Sequence, residues 1–166
     1  MTDRSQIDIL KGALLLEHKG RALYSSVAET TEIEAVKNLF FTLVEEENKH
    51  VDFLSKQYSR LANGQPFDVK DLPDRSEAAD HAFTGGLAEK VSGAGYEAAV
   101  ISAALEFEKN AVRYYSEQAS SASDAGEKDL YAWLAKWETS HLHMLAEIDR
   151  ELRERIWADN RFWPLD

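Results

Sequence analysis

Cysteine is absent from the 166-residue chain, which excludes a disulfide framework, a thiolate-held zinc or iron–sulfur site and a thiol nucleophile. Any metal must therefore be held by oxygen and nitrogen. Proline is scarce, with only Pro66, Pro73 and Pro164, so residues 1–65 and 74–163 carry no helix breaker of that kind. No apolar run approaches the roughly 18 residues of a membrane span, and no basic stretch followed by an apolar one opens the chain. A soluble, cytoplasmic protein is expected. Positive charge is also short: 19 Lys and Arg stand against 30 Asp and Glu, for a net charge of −11. That balance argues against nucleic acid and anionic membranes as partners. The length suits one domain covering residues 1–166, large enough to bury a core without covalent staples.

Within the proline-poor blocks, apolar residues recur at helical steps. The first block carries Leu10, Leu14, Tyr24 and Ala28, then Val36, Phe40, Leu43, Leu54 and Leu61. The interruption at Glu29-Thr30-Thr31 reads as a turn, and Thr31 with Glu34 has the form of a capping box that starts a second helix. Residues about 5–63 are thus predicted to form a helical hairpin. From about 64 to 94 the composition shifts to Gly, Pro, Asp and Ser, the signature of a crossing linker with room for a short helix near Leu87-Ala88-Glu89-Lys90. A second hairpin is predicted over about 95–152, through Ile101, Ala104, Val112, Tyr115 and Ala119 and then Tyr131, Leu134, Leu145, Ile148 and Leu152. The tail, 153–166, holds Trp157, Phe162, Trp163, Pro164 and Leu165, too apolar to stay free; it is expected to cover the bundle end or a neighbouring subunit.

The hairpins are repeats of one another. A shift of 91 residues aligns Glu17 with Glu108, Tyr24 with Tyr115, Leu43 with Leu134, Glu47 with Glu138, His50 with His141 and Leu54 with Leu145, without a gap. The fold class expected is all-α, a four-helix bundle of two repeated hairpins joined by a long crossover.

Each predicted core stripe contains ionisable groups. Glu17 interrupts the first stripe, which continues through Gly20 or Arg21 to Tyr24; Glu47 and His50 interrupt the second, Glu108 the third, Glu138 and His141 the fourth. Burying unpaired carboxylates costs several kcal/mol each, so compensation is required. Arg21 is the one cation near the stripes, and it reads as an edge residue with a packed stem and its head in water or on a nearby carboxylate. Two divalent cations would offset the four carboxylates. The levels agree, because Glu17 and Glu47 both lie roughly 20–24 Å from their shared turn at about 1.5 Å per residue. In each Glu-x-x-His, a carboxylate and an imidazole share one helix face a turn apart, able to grip one ion. One such spacing arises readily by chance in a Glu-rich chain; two in repeat register, each with a partner Glu upstream, do not. The alternative is a buried network of protonated Glu and neutral His with Arg21 as partial counter-charge. It would require several carboxyl pKa values raised together.

Glu17 with Tyr24, Glu47-Asn48-Lys49-His50, Glu108 with Tyr115 and Glu138-Thr139-Ser140-His141 resemble the di-iron carboxylate motif of ferritin-like proteins, the rubrerythrin group in particular. The resemblance covers about residues 6–152. It implies a ferritin-like bundle holding two iron ions, with manganese possible on the same donors. Glu17 and Glu108 would be terminal ligands, Glu47 and Glu138 bridges, and His50 and His141 ligands of one ion each. Tyr24 and Tyr115 would donate hydrogen bonds to carboxylates at the catalytic centre, or serve simply as core aromatics. His18, His81 and His143 fall off the stripes and read as surface residues.

Two departures from the family pattern matter. Rubrerythrins typically append a rubredoxin domain with two cysteine pairs, which a cysteine-free sequence cannot supply, and many carry an extra Glu where this chain has Ala111. The reading that follows is a di-iron oxidoreductase reducing hydrogen peroxide or dioxygen, fed by a separate electron donor and assembled as a homodimer or larger homo-oligomer. A ferroxidase serving iron storage or detoxification and a non-catalytic di-metal bundle are the alternatives.

Overall fold

The computed structural model describes residues 3–73, 86–91 and 95–158, with side chains from residue 6 onward. Four long helices and one short one make up the described chain: α1 (Asp3–Thr30), α2 (Glu34–Ala62), α3 (Leu87–Lys90), α4 (Tyr96–Ser121) and α5 (Ala125–Ala158). No strand occurs among the described residues. The fold is the all-α ferritin-like bundle, with α1 packed along α2 and α4 along α5.

Local chemistry sets the turns. Between α1 and α2, the Thr31 hydroxyl accepts from the Ile33 N–H at 3.2 Å and donates to Glu97 at 2.9 Å. Thr31 and Glu34 therefore do not form the predicted capping box: Ile33 occupies the cap position, with no side-chain cap bond, because the Thr31 hydroxyl is committed to a tight turn and to α4. At the other hairpin turn, Asp124 caps α5 by accepting the Glu127 N–H at 2.8 Å. After α2 the chain turns through Gly64 at φ +70°, a left-handed position that favours glycine.

The crossover is anchored at both ends of α5. Gln57 clamps the first part, donating to the Asp68 carbonyl and accepting from the Asp68 N–H, both at 2.9 Å. Phe67 lies against Gly126 at the start of α5, and the Pro73 carbonyl accepts from the Trp133 indole at 2.9 Å. Farther along, α3 buries Leu87 and Ala88 in the core, and Arg155 donates to the Ala88 carbonyl near the far end of α5. Helix α5 itself continues past the predicted boundary at 152 to Ala158, since no proline or glycine intervenes. Trp157 is 69% exposed on that last stretch; Phe162, Trp163, Pro164 and Leu165, like His81, lie outside the described residues.

The core is divided into two apolar clusters. One holds Tyr24, Phe40, Leu43, Ile101, Leu145 and Ile148, toward the turn between α1 and α2. The other holds Leu10, Leu54, Ala111, Tyr115, Tyr131 and Leu134. At roughly 1.5–3 kcal/mol for each fully buried large side chain, these two layers offset the cost of a polar layer between them. On the third stripe the buried residue is Ala111, with Val112 only half-buried; on the first, Gly20 is buried and Arg21 stands at the edge.

Candidate metal centre

Glu17, Glu47, His50, Glu108, Glu138 and His141 are all at most 2% exposed, and they form the polar layer. Each lies on a helix stripe flanked by buried apolar residues, such as Leu43 and Leu54 around Glu47 and His50 and Leu134 and Leu145 around Glu138 and His141, so the packing of the stripe carries the charged groups inward. The ligand atoms fall into two groups, Glu17, Glu47, His50 and Glu138 in one and Glu47, Glu108, Glu138 and His141 in the other, each group's atoms lying within 4.8 Å of one another. Glu47 and Glu138 belong to both. The Nδ1 of His50 is 2.9 Å from Glu138, 3.0 Å from Glu17 and 3.7 Å from Glu47. That of His141 is 3.0 Å from Glu138, 3.4 Å from Glu108 and 3.7 Å from Glu47.

The tyrosines cross the bundle. Tyr24 of α1 donates to Glu108 of α4, and Tyr115 of α4 donates to Glu17 of α1. Each phenol thus holds one oxygen of the carboxylate presented by the opposite hairpin. Burial and the facing carboxylates push both phenols well above their ordinary pKa, which keeps them protonated as donors.

Ordinary hydrogen bonding does not satisfy this layer. Among the described residues, the buried side-chain atoms without a hydrogen-bond partner are Glu47 Oε1, Glu108 Oε2, Glu138 Oε2, His50 Nε2, both ring nitrogens of His141, and the Tyr131 hydroxyl. All but the last belong to the cluster, and all of those are carboxylate oxygens or imidazole nitrogens. His141 Nδ1 and Glu138 Oε2 lie 3.0 Å apart as an ion pair. Natural interiors leave few such atoms orphaned, and these are the donors that a first-row transition metal takes. The residues fit the metal.

The electrostatics lead to the same place. Burial and the neighbouring Glu138 and Glu17 raise the Glu47 pKa well above the carboxylate range, and burial and Glu138 bring Glu108 up to about 7. Burial alone would lower the two imidazoles; instead the carboxylates around them raise His50 and bring His141 to about 10. Glu138, although burial opposes it, is held well below the carboxylate range by the two histidines. Without metal, the centre thus keeps protons where cations are needed. Metal ligands bind deprotonated, so loading releases those protons.

Of the other candidates, Arg21 donates to Asn48 at 3.1 Å and sits 2.9 Å from His18. It therefore stands at the edge of the stripe, with its head on an amide and an imidazole. His18 and His143 are exposed. The sequence reading does not single out Glu46 or Trp137. Glu46 is 1% exposed, accepting from the Trp137 indole at 2.6 Å and from Lys49 at 3.1 Å. Trp137 in turn packs edge-on against His50, with ring centroids 5.0 Å apart. The available signal was the repeat itself: Glu46 and Trp137 are aligned by the shift of 91, the one unlike pair immediately before otherwise matching Glu-x-x-His motifs.

Two helical hairpins that converge a layer of four carboxylates and two imidazoles define a carboxylate–histidine metal protein of the ferritin-like class. The family model for rubrerythrin matches residues 8–149, and the chain belongs to the rubrerythrin family. Comparison with curated proteins gives no match, nor does comparison with solved structures. Membership and cluster together support a metal-binding site in a protein of oxidoreductase-like type. No helix among the described residues is long and apolar enough to cross a membrane.

Proposed function

We propose that the protein is a di-iron oxidoreductase that reduces hydrogen peroxide or dioxygen with electrons supplied from outside the chain. The observation that carries this reading is the sharing of Glu47 and Glu138 by two ligand groups, which suits a pair of ions rather than one. Glu17 and His50 would complete one site, Glu108 and His141 the other. Tyr24 and Tyr115 restrain the terminal carboxylates, so that each presents its second oxygen inward. The apolar clusters on either side, with Gly20 closed over by Phe107 beside Glu47, exclude water from the layer and strengthen its electrostatics. Two iron ions held there would supply two electrons in one encounter, the number needed to cleave the O–O bond of hydrogen peroxide, or to take dioxygen to the peroxide level, without releasing a radical. Manganese satisfies the same donors and is the competing metal. The electrons would be returned from outside these residues, which have no cysteine with which to hold an iron–sulfur centre.

Stopped-flow mixing of the diferrous protein with hydrogen peroxide, and separately with dioxygen, tests the reading. Oxidation of the centre faster than that of free Fe(II) by at least one oxidant is expected, with iron content unchanged over many cycles. Oxidation no faster than free Fe(II) would overturn it. Accumulation of many irons per chain inside a shell would favour ferroxidation instead.

A further inference from the structure

Three tightly packed rings, one imidazole and two indoles, lead away from the metal layer beside His50. His50 meets Trp137 at 5.0 Å and 87°, and Trp133 at 5.7 Å and 77°, between ring centroids. The two indoles are 5.0 Å apart at 74°. Trp137 is 3% exposed, whereas Trp133 is half-buried, with its N–H held by the Pro73 carbonyl. His141, the repeat counterpart of His50, shows no ring contact with an indole among the described residues, its recorded stacking partner being His50 itself at 6.1 Å. The Trp137 N–H donates to the buried Glu46 carboxyl group, 2.6 Å away, whose other oxygen accepts from Lys49 at 3.1 Å, so the indole nitrogen is held by an acceptor that fixes the ring against His50. A buried indole N–H needs an acceptor, but core packing does not require the ring to sit edge-on against a candidate metal-ligating histidine.

The geometry points to Trp137 and Trp133 as a one-electron relay out of the metal centre: when peroxide meets a centre holding a single electron, Trp137 supplies the second and is refilled through Trp133 by a small one-electron reductant. This rests on the di-iron reading above. The step balances as H2O2 + 2 H+ + 2 e− → 2 H2O, one electron coming from the half-reduced centre and one from Trp137. Both protons come from solvent. The indole keeps its N–H proton against Glu46, the resulting cation radical passes to Trp133, and one electron from the reductant restores the ring.

The tyrosines are worse placed for this role. A phenol that loses an electron must also release its proton, and the protons of Tyr24 and Tyr115 are committed to Glu108 and Glu17 within the metal layer. Moving them would disturb the very carboxylates that hold the ions.

The test uses iron-loaded full-length protein, reduced by one electron per chain, mixed with hydrogen peroxide and frozen for electron paramagnetic resonance. An organic radical is expected whose hyperfine pattern narrows with indole-deuterated tryptophan and not with ring-deuterated tyrosine. Without reductant, repeated peroxide pulses should place oxygen adducts on the tryptic peptide 129–136, which contains Trp133. The W133F variant should shift the adducts to peptide 137–150, W137F should abolish those on Trp133, and ascorbate should suppress both. A tyrosine-derived radical, no radical at all, or Trp133 adducts that persist in W137F or in iron-free protein would overturn the relay. The wild-type labelling arm needs no variant to fold. The optical change of iron oxidation, recorded on the same samples, separates the failures: iron oxidised without a tryptophan radical removes the relay alone, and iron not oxidised removes the relay and the oxidoreductase reading together.

Discussion

The two hairpins match at every candidate ligand position and part company one residue earlier. Where the first has Glu46 before Glu47, the second has Trp137 before Glu138, and these unlike residues meet each other at 2.6 Å. Matching extends to the tyrosines. Tyr24 packs on Phe40 at 5.7 Å and Tyr115 on Tyr131 at 6.1 Å, and both ring pairs fall in the same repeat register. What an ion pair requires is thus supplied twice, while what only one side uses is supplied once. The difference teaches that symmetry here belongs to the buried carboxylates, imidazoles and tyrosines of the polar layer, while the proposed relay draws on the one pair that departs from it.

The largest effects should come from breaking the shared element. Glu47→Ala and Glu138→Ala each remove a ligand common to both groups, so each should lower metal affinity by more than about 100-fold and abolish peroxide-driven oxidation. Glu17→Ala and Glu108→Ala should instead impair one ion each. Elemental analysis of the four variants distinguishes the patterns, and equal loss in all four would contradict the bridging assignment.

Protonation provides the next test. In the metal-free fold His141 is raised from 6.5 to about 10 and Glu108 from 4.5 to about 7. The folded state therefore binds more protons than the unfolded one across those windows. Stability should fall as pH rises, through about 4.5 to 7 for Glu108 and 6.5 to 10 for His141, by up to about 1.4 kcal/mol per pH unit for each such proton. Metal-loaded protein should lose this slope, because ions replace the protons. Thermal melts of both forms between pH 5 and 10 check the sign, and a metal-free form that gains stability with pH would count against the account.

Symmetry makes its own prediction for Tyr24→Phe and Tyr115→Phe. Each removes one restraint on a terminal carboxylate, and each should weaken metal binding by about 10- to 100-fold, to a similar extent. Competition with a chromogenic chelator would measure it; a large effect in one variant alone would show that the halves are not equivalent at this level. Trp137→Phe keeps the ring packing but leaves Glu46 without its indole donor, at a cost of about 1–3 kcal/mol in denaturant unfolding. Thr42→Ala or a comparable change on the half-buried outer side of α2 should cost less than that.

The smallest effect concerns Gly20, whose repeat counterpart is Ala111. A methyl at Gly20 would lie 2.8 Å from Phe107, a crowding cost of about 1–3 kcal/mol that the better helix propensity of alanine offsets by about 1 kcal/mol. Ala111→Gly should lose about 1 kcal/mol with no crowding change. Opposite responses of metal-centre accessibility to small oxidants in the two variants would further separate the halves.

Much of this arrangement is legible in the amino-acid sequence. The helices follow from apolar spacing without proline, and the six ionisable residues stand out because they occupy stripe positions where charge is costly. Other features depend on contacts distant in sequence. Glu46 reads as an ordinary surface acid beside Glu45; it is buried because Trp137 reaches it from α5, 91 positions away. The capping box failed for the same kind of reason, the Thr31 hydroxyl being drawn to Glu97 of α4. Ala111 rather than Val112 faces inward, a choice of helix rotation that spacing alone leaves open by one residue.

The central claim is that the two hairpins jointly hold a pair of iron ions. Elemental analysis of the protein purified without added metal tests it most directly. Two irons per chain are predicted, whereas zinc, a single ion, or metal-free protein that binds no Fe(II) on reconstitution would contradict it.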